Sequence, residues 1–488
     1  MRLSIRTSAL PILVLAAATR LAATLKAGVA KTTITPDVTA NKVYMAGFGN
    51  NRVSTGVHDD LWVRCLALGA GRDKLVMCSV DLIGLFYDDV LKVRAQVKAD
   101  RPDVTQLIVA SSHDHEGPDT MGLWGPAALQ TGIDPAYMDK LDGRIASTAL
   151  QALQSLKPAR LVLGRDDHPL LALFQDDSRP PYVEDPHLFV MRITGLHQEP
   201  IATVVNFSDH PETLDSKNTL ITADYPNWLR RYEQHGGGTA LFFNGTIGGL
   251  LSTLGDQVAL LDPDTGEVAK DATWRKAELF GNTLGELALR AVDANASGRV
   301  EAPVDSIVVR QKVIVAPIEN DGFRVGGALG VFRGRKGLWT NGRPDPSVEQ
   351  RDLPQFGGKV PYATGHDLQT EVDYIQFRGG GRLLAEIATV PGEIYPELVN
   401  GGITRYPGAD YPEAPFEPTL RAGMHGEYRM IFGLANDELG YIIPKCEWDS
   451  KPPWLQNRKG RWYGEVNSAG PEVAGAVTRS LRELMEIP

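Results

Sequence analysis

Cysteine is scarce: the 488 residues include three, Cys65, Cys78 and Cys446. So few thiols exclude a small disulfide-stapled scaffold, and with no CxxC pair a structural thiolate zinc module is excluded as well. Cys65 and Cys78 sit in apolar runs, and all three are expected to be buried thiols. Basic blocks are also missing. With 50 Lys and Arg against 60 Asp and Glu, and a net charge of −10, the chain has no clustered positive surface for phosphates, which excludes nucleic acid as a partner. No stretch reaches transmembrane length. The apolar run from Ala9 to Ala18 is too short to span a bilayer. Preceded by Arg2 and Arg6 and followed by the small residues Ala22 and Ala23, it reads as a secretory signal peptide over residues 1–26, so a secreted or periplasmic protein is expected. Internal repeats and low-complexity tracts are absent.

What is present is the composition of a globular protein with a sizeable core, at 43% hydrophobic residues. From Ala27 onward, short β-branched runs alternate with amphipathic segments and Gly/Pro punctuation, which predicts an α/β fold of mixed sheets flanked by helices. Strands are expected over 74–80, 106–110, 201–207, 240–243, 383–390 and 428–434. A helix should start near Asp224, where a capping side chain precedes Tyr225 and Pro226, and end at the glycines 236–238; another should cover 139–156. Residues 321–367 are rich in Gly, Arg, Pro and aromatics with little periodicity, and predict a loop-rich insertion, either a substrate-side flap or a plain surface excursion.

The polar clusters carry the chemistry, because each follows directly after an apolar strand. The strand ending at Ala110 leads into Ser111–Asp119, and the one ending at Phe207 into Ser208–Thr213. Val390 is followed by Pro391, Gly392 and Glu393, and Leu434 by the segment from Ala435 to Ile442. Ligands gather at the carboxyl ends of strands in α/β proteins, so these clusters are candidates for one pocket. His113 and His115 are two apart, which on an extended segment points both imidazoles to one side. With His210 and Glu393 they make up the ligand types of a catalytic zinc site. Taken singly, each has a structural alternative: His210 as a hydrogen-bonded loop histidine, Glu393 as a helix cap, Tyr441 as a half-buried strand tyrosine. A binuclear metallo-β-lactamase-like site is a second reading of the HxH pair, but that class wants HxHxDH and position 117 is Gly.

In order along the chain, the motifs resemble those of the neutral/alkaline, non-lysosomal ceramidases. They are Ala27–Pro36, Gly47–Gly49, Gly56–Arg64, Ser112–Pro118, Asn206–Pro211, Ala223–Pro226, Phe243–Gly249, Val390–Glu393 and Asn436–Ile442. The resemblance implies a single ceramidase-like catalytic domain over 27–488 without the family's C-terminal immunoglobulin-like domain. It implies zinc held by His113, His210, Glu393 and Tyr441, with His115 beside the metal as general base or oxyanion stabiliser and Tyr441 contributing to catalysis. Asn244, in the matching motif Phe243–Gly249, and Ser252, in the segment 248–252 that follows it, are candidate substrate-side or supporting residues, and Asp224 is expected either to orient a ligand histidine or to cap a helix. The family serine near the scissile carbonyl corresponds to Leu251, with Ser252 one residue out of register. That departure points to attack by activated water on a small-molecule or lipid-like acyl substrate, whether amide, ester or lactone, with peripheral contact to a membrane surface as a further expectation.

Overall fold

The computed structural model describes residues 25–487 except 231, 232, 234, 235, 255–257, 334 and 336. The expected leader up to residue 24 lies outside the described residues, whereas Leu25 is buried and Lys26 opens the first strand.

Two sheets packed face to face, with helices on both outer sides, form four layers. The first sheet contains β1 (Lys26–Thr33), β2 (Trp62–Ala70), β3 (Asp73–Val80), β4 (Gln106–Ser111), β5 (Lys157–Asp166), β6 (Leu188–Gly195), β7 (Pro200–Phe207) and β8 (Thr239–Asn244). Their spatial order is β8-β7-β6-β5-β1-β2-β3-β4, with β4 parallel to β3 and β8 parallel to β7. The second sheet is built on β9 (Ser306–Pro317), β10 (Asp367–Gly379), β11 (Arg382–Thr389) and β12 (Tyr428–Phe432), where β10 pairs antiparallel with β9 and β11, and β12 lies parallel to β11.

These strands read as unbroken apolar runs because both faces are covered. In β2, Leu66 and Leu68 point at the opposing sheet, while Val63, Cys65 and Ala67 point at helices α1 (Tyr87–Asp100) and α2 (Pro135–Gln154). In β8, Leu241 and Phe243 face the opposing sheet, whereas Ala240 and Phe242 face α3 (Tyr225–Arg230) and α4 (Trp274–Ala291). Phe243 stacks on Phe432 across the sheets at 4.2 Å between centroids, and burying a ring of that size contributes about 1.5–3 kcal/mol. The far helix, α6 (Val473–Glu486), closes the outer face of the second sheet through Val473, Val477 and Leu481, with α5 (Asp321–Ala328) lying earlier in the chain.

The predicted strands all form. The helix expected over 139–156 begins a turn earlier, because Asp134 caps it by accepting from Ala136 and Tyr137 N–H and Pro135 occupies its first turn. Residues 321–367 are more ordered than their composition suggests. They form α5, capped by Asn320, and two hairpins, 338–340 with 343–345 and 348–353 with 358–363. The first hairpin turns at Asn341-Gly342, both with positive φ, a dipeptide suited to that turn. The free-thiol expectation is overturned at two positions: antiparallel pairing sets Cys65 opposite Cys78 and the two form a disulfide, while Cys446 remains a buried free thiol. The pair is 13 positions apart in sequence, so only the hairpin register, not a CxxC spacing, brings them together.

Candidate metal centre

Parallel pairing puts the ends of β3 and β4 together, those of β7 and β8 together, and those of β11 and β12 together. The loops leaving β4, β7, β11 and β12 meet at one end of the sandwich. Main-chain bonds stitch them: Ser111 N donates to Leu434 O at 3.1 Å, Asn436 N to Val109 O at 2.7 Å, and His115 N to Pro211 O at 3.1 Å. Asn244, at the end of β8, donates through Nδ2 to Ser112 O and to Asp209 O, both at 2.9 Å. Each of those carbonyls belongs to the residue just before a candidate ligand histidine, so one amide clamps both loops.

His113, His115 and His210 are buried, and each offers one ring nitrogen that lies within 4.8 Å of those of the other two. The shared orientation of His113 and His115 does not come from an extended segment. His113 has φ +67°, and the loop turns at that residue to place the two rings 4.9 Å apart at an interplanar angle of 71°. The His113 Nδ1 lies 2.8 Å from Ile83 O, and the His210 Nδ1 lies 2.5 Å from Leu251 O. A carbonyl can only accept, so each Nδ1 carries the proton and each Nε2 presents a lone pair. Those two Nε2 atoms converge on Glu393 Oε2, at 3.4 Å for His113 and 3.1 Å for His210. Glu393 and Tyr441 are register partners on two short parallel strands, which sets both side chains on one face. Just before Tyr441, Gly440 at φ +78° lies against the chain at Asn467, where a Cβ would fall 1.8 Å from the Asn467 carbonyl oxygen.

The electrostatics follow from burial and from the imidazoles. Burial would raise the Glu393 carboxyl, but His113 and His210 hold it at about 2. Burial, with His113 and His210 adding to it, keeps His115 well below the usual imidazole range. Burial and the Glu393 charge keep the Tyr441 phenol well above its ordinary value, so phenolate character there requires a cation. Two imidazole lone pairs, a carboxylate held ionised between them and a third buried imidazole are a nitrogen and oxygen donor set suited to zinc.

The remaining expected residues take definite places. Asp224, at φ +51°, accepts from the Tyr225 N–H and the Thr213 hydroxyl and hydrogen-bonds to no histidine among the described residues; main-chain carbonyls hold the His113 and His210 rings. Burial pushes the Asp224 carboxyl up to about 7. The Leu251 side chain is buried while its carbonyl fixes His210, and the Ser252 hydroxyl donates to Glu212. Two further carboxylates in the polar clusters after the strands take places at the site that the sequence does not assign. Glu212, two residues after His210, brings Oε2 to 3.5 Å from His115 Nδ1. Glu438, three residues before Tyr441, lines the cavity.

That cavity, about 320 Å³, opens onto His113, His115, Glu393 and Tyr441, and its walls are mainly apolar, with Ile83, Phe86, Met121, Leu123, Phe332 and Leu439 among them. The segment 321–367 supplies one side of it, through Phe323, Phe332, Leu338 and Val348.

No protein-family model and no curated protein matches this sequence. Among solved structures, neutral ceramidase from Pseudomonas aeruginosa is similar at a TM-score of 0.65 and 18% identity, covering 95% of this chain and 74% of that one. A ceramidase complexed with C2 is similar at a TM-score of 0.63 and 19% identity, covering 95% and 75%. The fold expected from the ordered motifs is therefore the fold observed: over 95% of its length this chain shares the fold of these ceramidase structures.

Proposed function

We propose that this chain is a zinc-dependent hydrolase that cleaves an acyl amide or ester bond in a lipid-like substrate. The observation that carries the proposal is the pair of imidazoles whose Nδ1 atoms are tied to Ile83 and Leu251 carbonyls and whose Nε2 atoms meet Glu393 beside an apolar cavity. His113, His210 and Glu393 would hold the metal, with Tyr441 as the fourth ligand. Zinc bound there supplies Lewis acidity toward an acyl carbonyl and activates water near neutral pH.

The protein's own groups supply the rest. His115 has no hydrogen-bond partner on either ring nitrogen among the described residues, and it is positioned to take a proton from water and return it to the leaving amine or alcohol. Glu212 steadies the resulting imidazolium from the Nδ1 side. Phe48 packs edge-on against His115 at 5.1 Å and restricts the ring to one orientation. The apolar walls exclude bulk water and take an acyl chain. No serine nucleophile is required, in keeping with Leu251 in the family serine's place and the Ser252 hydroxyl engaged by Glu212.

Val348 and Tyr463 line the cavity yet are 52% and 51% exposed, which supports contact between its mouth and a lipid surface. The Cys65–Cys78 disulfide supports an oxidising, extracytoplasmic location. The test is a panel of acyl amides, esters and lactones of increasing chain length, assayed with zinc-loaded and chelated protein. Turnover should rise with chain length and disappear on chelation. A fully metal-loaded protein with no turnover on the whole panel would make this a binding protein instead.

A further inference from the structure

Glu438 is 4% exposed and lines the same cavity as the candidate metal ligands. Its carboxyl is held from one side only. Oε1 accepts from the Gly440 N–H at 2.8 Å, while Oε2 is buried and has no hydrogen-bond partner among the described residues. The side chain has little freedom to turn away. Its stem packs so closely on Gly84 that a Cβ there would stand 3.1 Å from both Glu438 Cβ and Cγ. The nearby cation does not serve it: Arg335 forms its ion pair with Asp437 and lies over the Phe86 ring. A buried carboxyl oxygen left without a partner carries a desolvation cost that a ligand can relieve.

We propose that Glu438 is a specificity-determining residue whose free oxygen pairs with a polar hydrogen, a hydroxyl or amine, placed within a few bonds of the substrate's scissile acyl group. The substrate class becomes narrower than a plain acyl compound: an apolar body carrying one hydrogen-bond donor at its reacting end. This rests on the acyl-hydrolase reading of the cavity, and the test is one of binding, so that it reads out whether or not turnover is found. A site with a buried polar group that expects a donor rejects the analogue lacking it more strongly than an apolar pocket rejects an added hydroxyl.

The experiment measures dissociation constants by calorimetry for decanoyl ethanolamide against decanoyl propylamide, and for α-hydroxydecanoyl propylamide against decanoyl propylamide. The protein is used zinc-loaded, and Glu438→Leu and Glu438→Gln are compared with the natural sequence. The natural protein should bind the hydroxylated member of at least one pair about tenfold more tightly or better. Glu438→Leu should bring that ratio to within about twofold while plain propylamide binding and zinc content stay unchanged. Glu438→Gln, which keeps the size and the Gly440 contact but turns an N–H toward the ligand, should also lose the preference, and serves if the leucine variant does not fold. A natural protein that does not discriminate either pair, or a preference that survives in both variants, would overturn the proposal. Loss of turnover with the binding preference intact would count against the hydrolase reading alone.

Discussion

At the scale of single residues, the centre depends on what holds each imidazole rather than on the imidazoles themselves. His113 and His210 owe their tautomers to main-chain carbonyls, contacts a sequence does not display, since Ile83 is 30 residues from His113 and Leu251 is 41 from His210. His115 depends on Gly47, which has φ +97° and where a Cβ would fall 2.4 Å from His115 Cγ. Gly47→Ala should therefore displace the ring and strain the turn, lowering kcat/KM by roughly 100-fold while zinc content, set by His113, His210 and Glu393, is retained. Steady-state kinetics beside metal analysis checks this, and an unchanged kcat/KM would remove His115 from the proposed chemistry. The candidate residues and their order along the chain can be read in the sequence because the motifs are local. Glu212, in the polar cluster after β7, and Glu438, in the Asn436–Ile442 motif, lie two and three residues from a candidate ligand, but spacing alone does not say which neighbour turns toward His115 or the cavity.

At the scale of elements, the site is an effect of strand ends and of the bonds that tie them. Asn244 bridges the loops after β4 and β7 by its two donations, and Asn244→Ala should lower zinc affinity by about 10–100-fold, read from competition with a chelator. Undiminished affinity would show that the loops hold their places without the clamp. The β2–β3 hairpin carries the Cys65–Cys78 disulfide between its central residues, and replacing both cysteines with alanine should cost about 2–4 kcal/mol in urea unfolding. The strands were legible because they are buried on both faces and so read as apolar runs between turns. The disulfide was not, because it depends on the register of two strands that composition presents only as hydrophobic. The Asn341-Gly342 turn shows the opposite case: a hairpin signal was present in the segment 321–367 and was masked by the surrounding Gly, Arg and Pro.

At the scale of the whole molecule, two sheets about each other's faces bring together loops that are nearly 330 residues apart, from His113 to Tyr441, and only the assembled sandwich shows that they share a cavity. The same packing buries other carboxyls. Burial and the neighbouring Glu447 push the Glu397 carboxyl up to about 8 from an ordinary 4.5. The folded chain then keeps a proton that the unfolded chain releases, so this group's contribution to stability falls as pH rises between those values and is flat on either side. Glu397→Gln removes the dependence, and the variant should gain on the natural protein from about pH 5 to pH 8, by at most about 1.4 kcal/mol per pH unit. Urea midpoints across that range check it, and parallel curves would contradict it. The central claim is the zinc centre, and it is tested most directly by the metal content and acyl turnover of the purified protein beside His113→Ala and His210→Ala. About one zinc per chain is expected, lost together with turnover in both variants. Metal-free protein that hydrolyses acyl substrates at the full rate would contradict it.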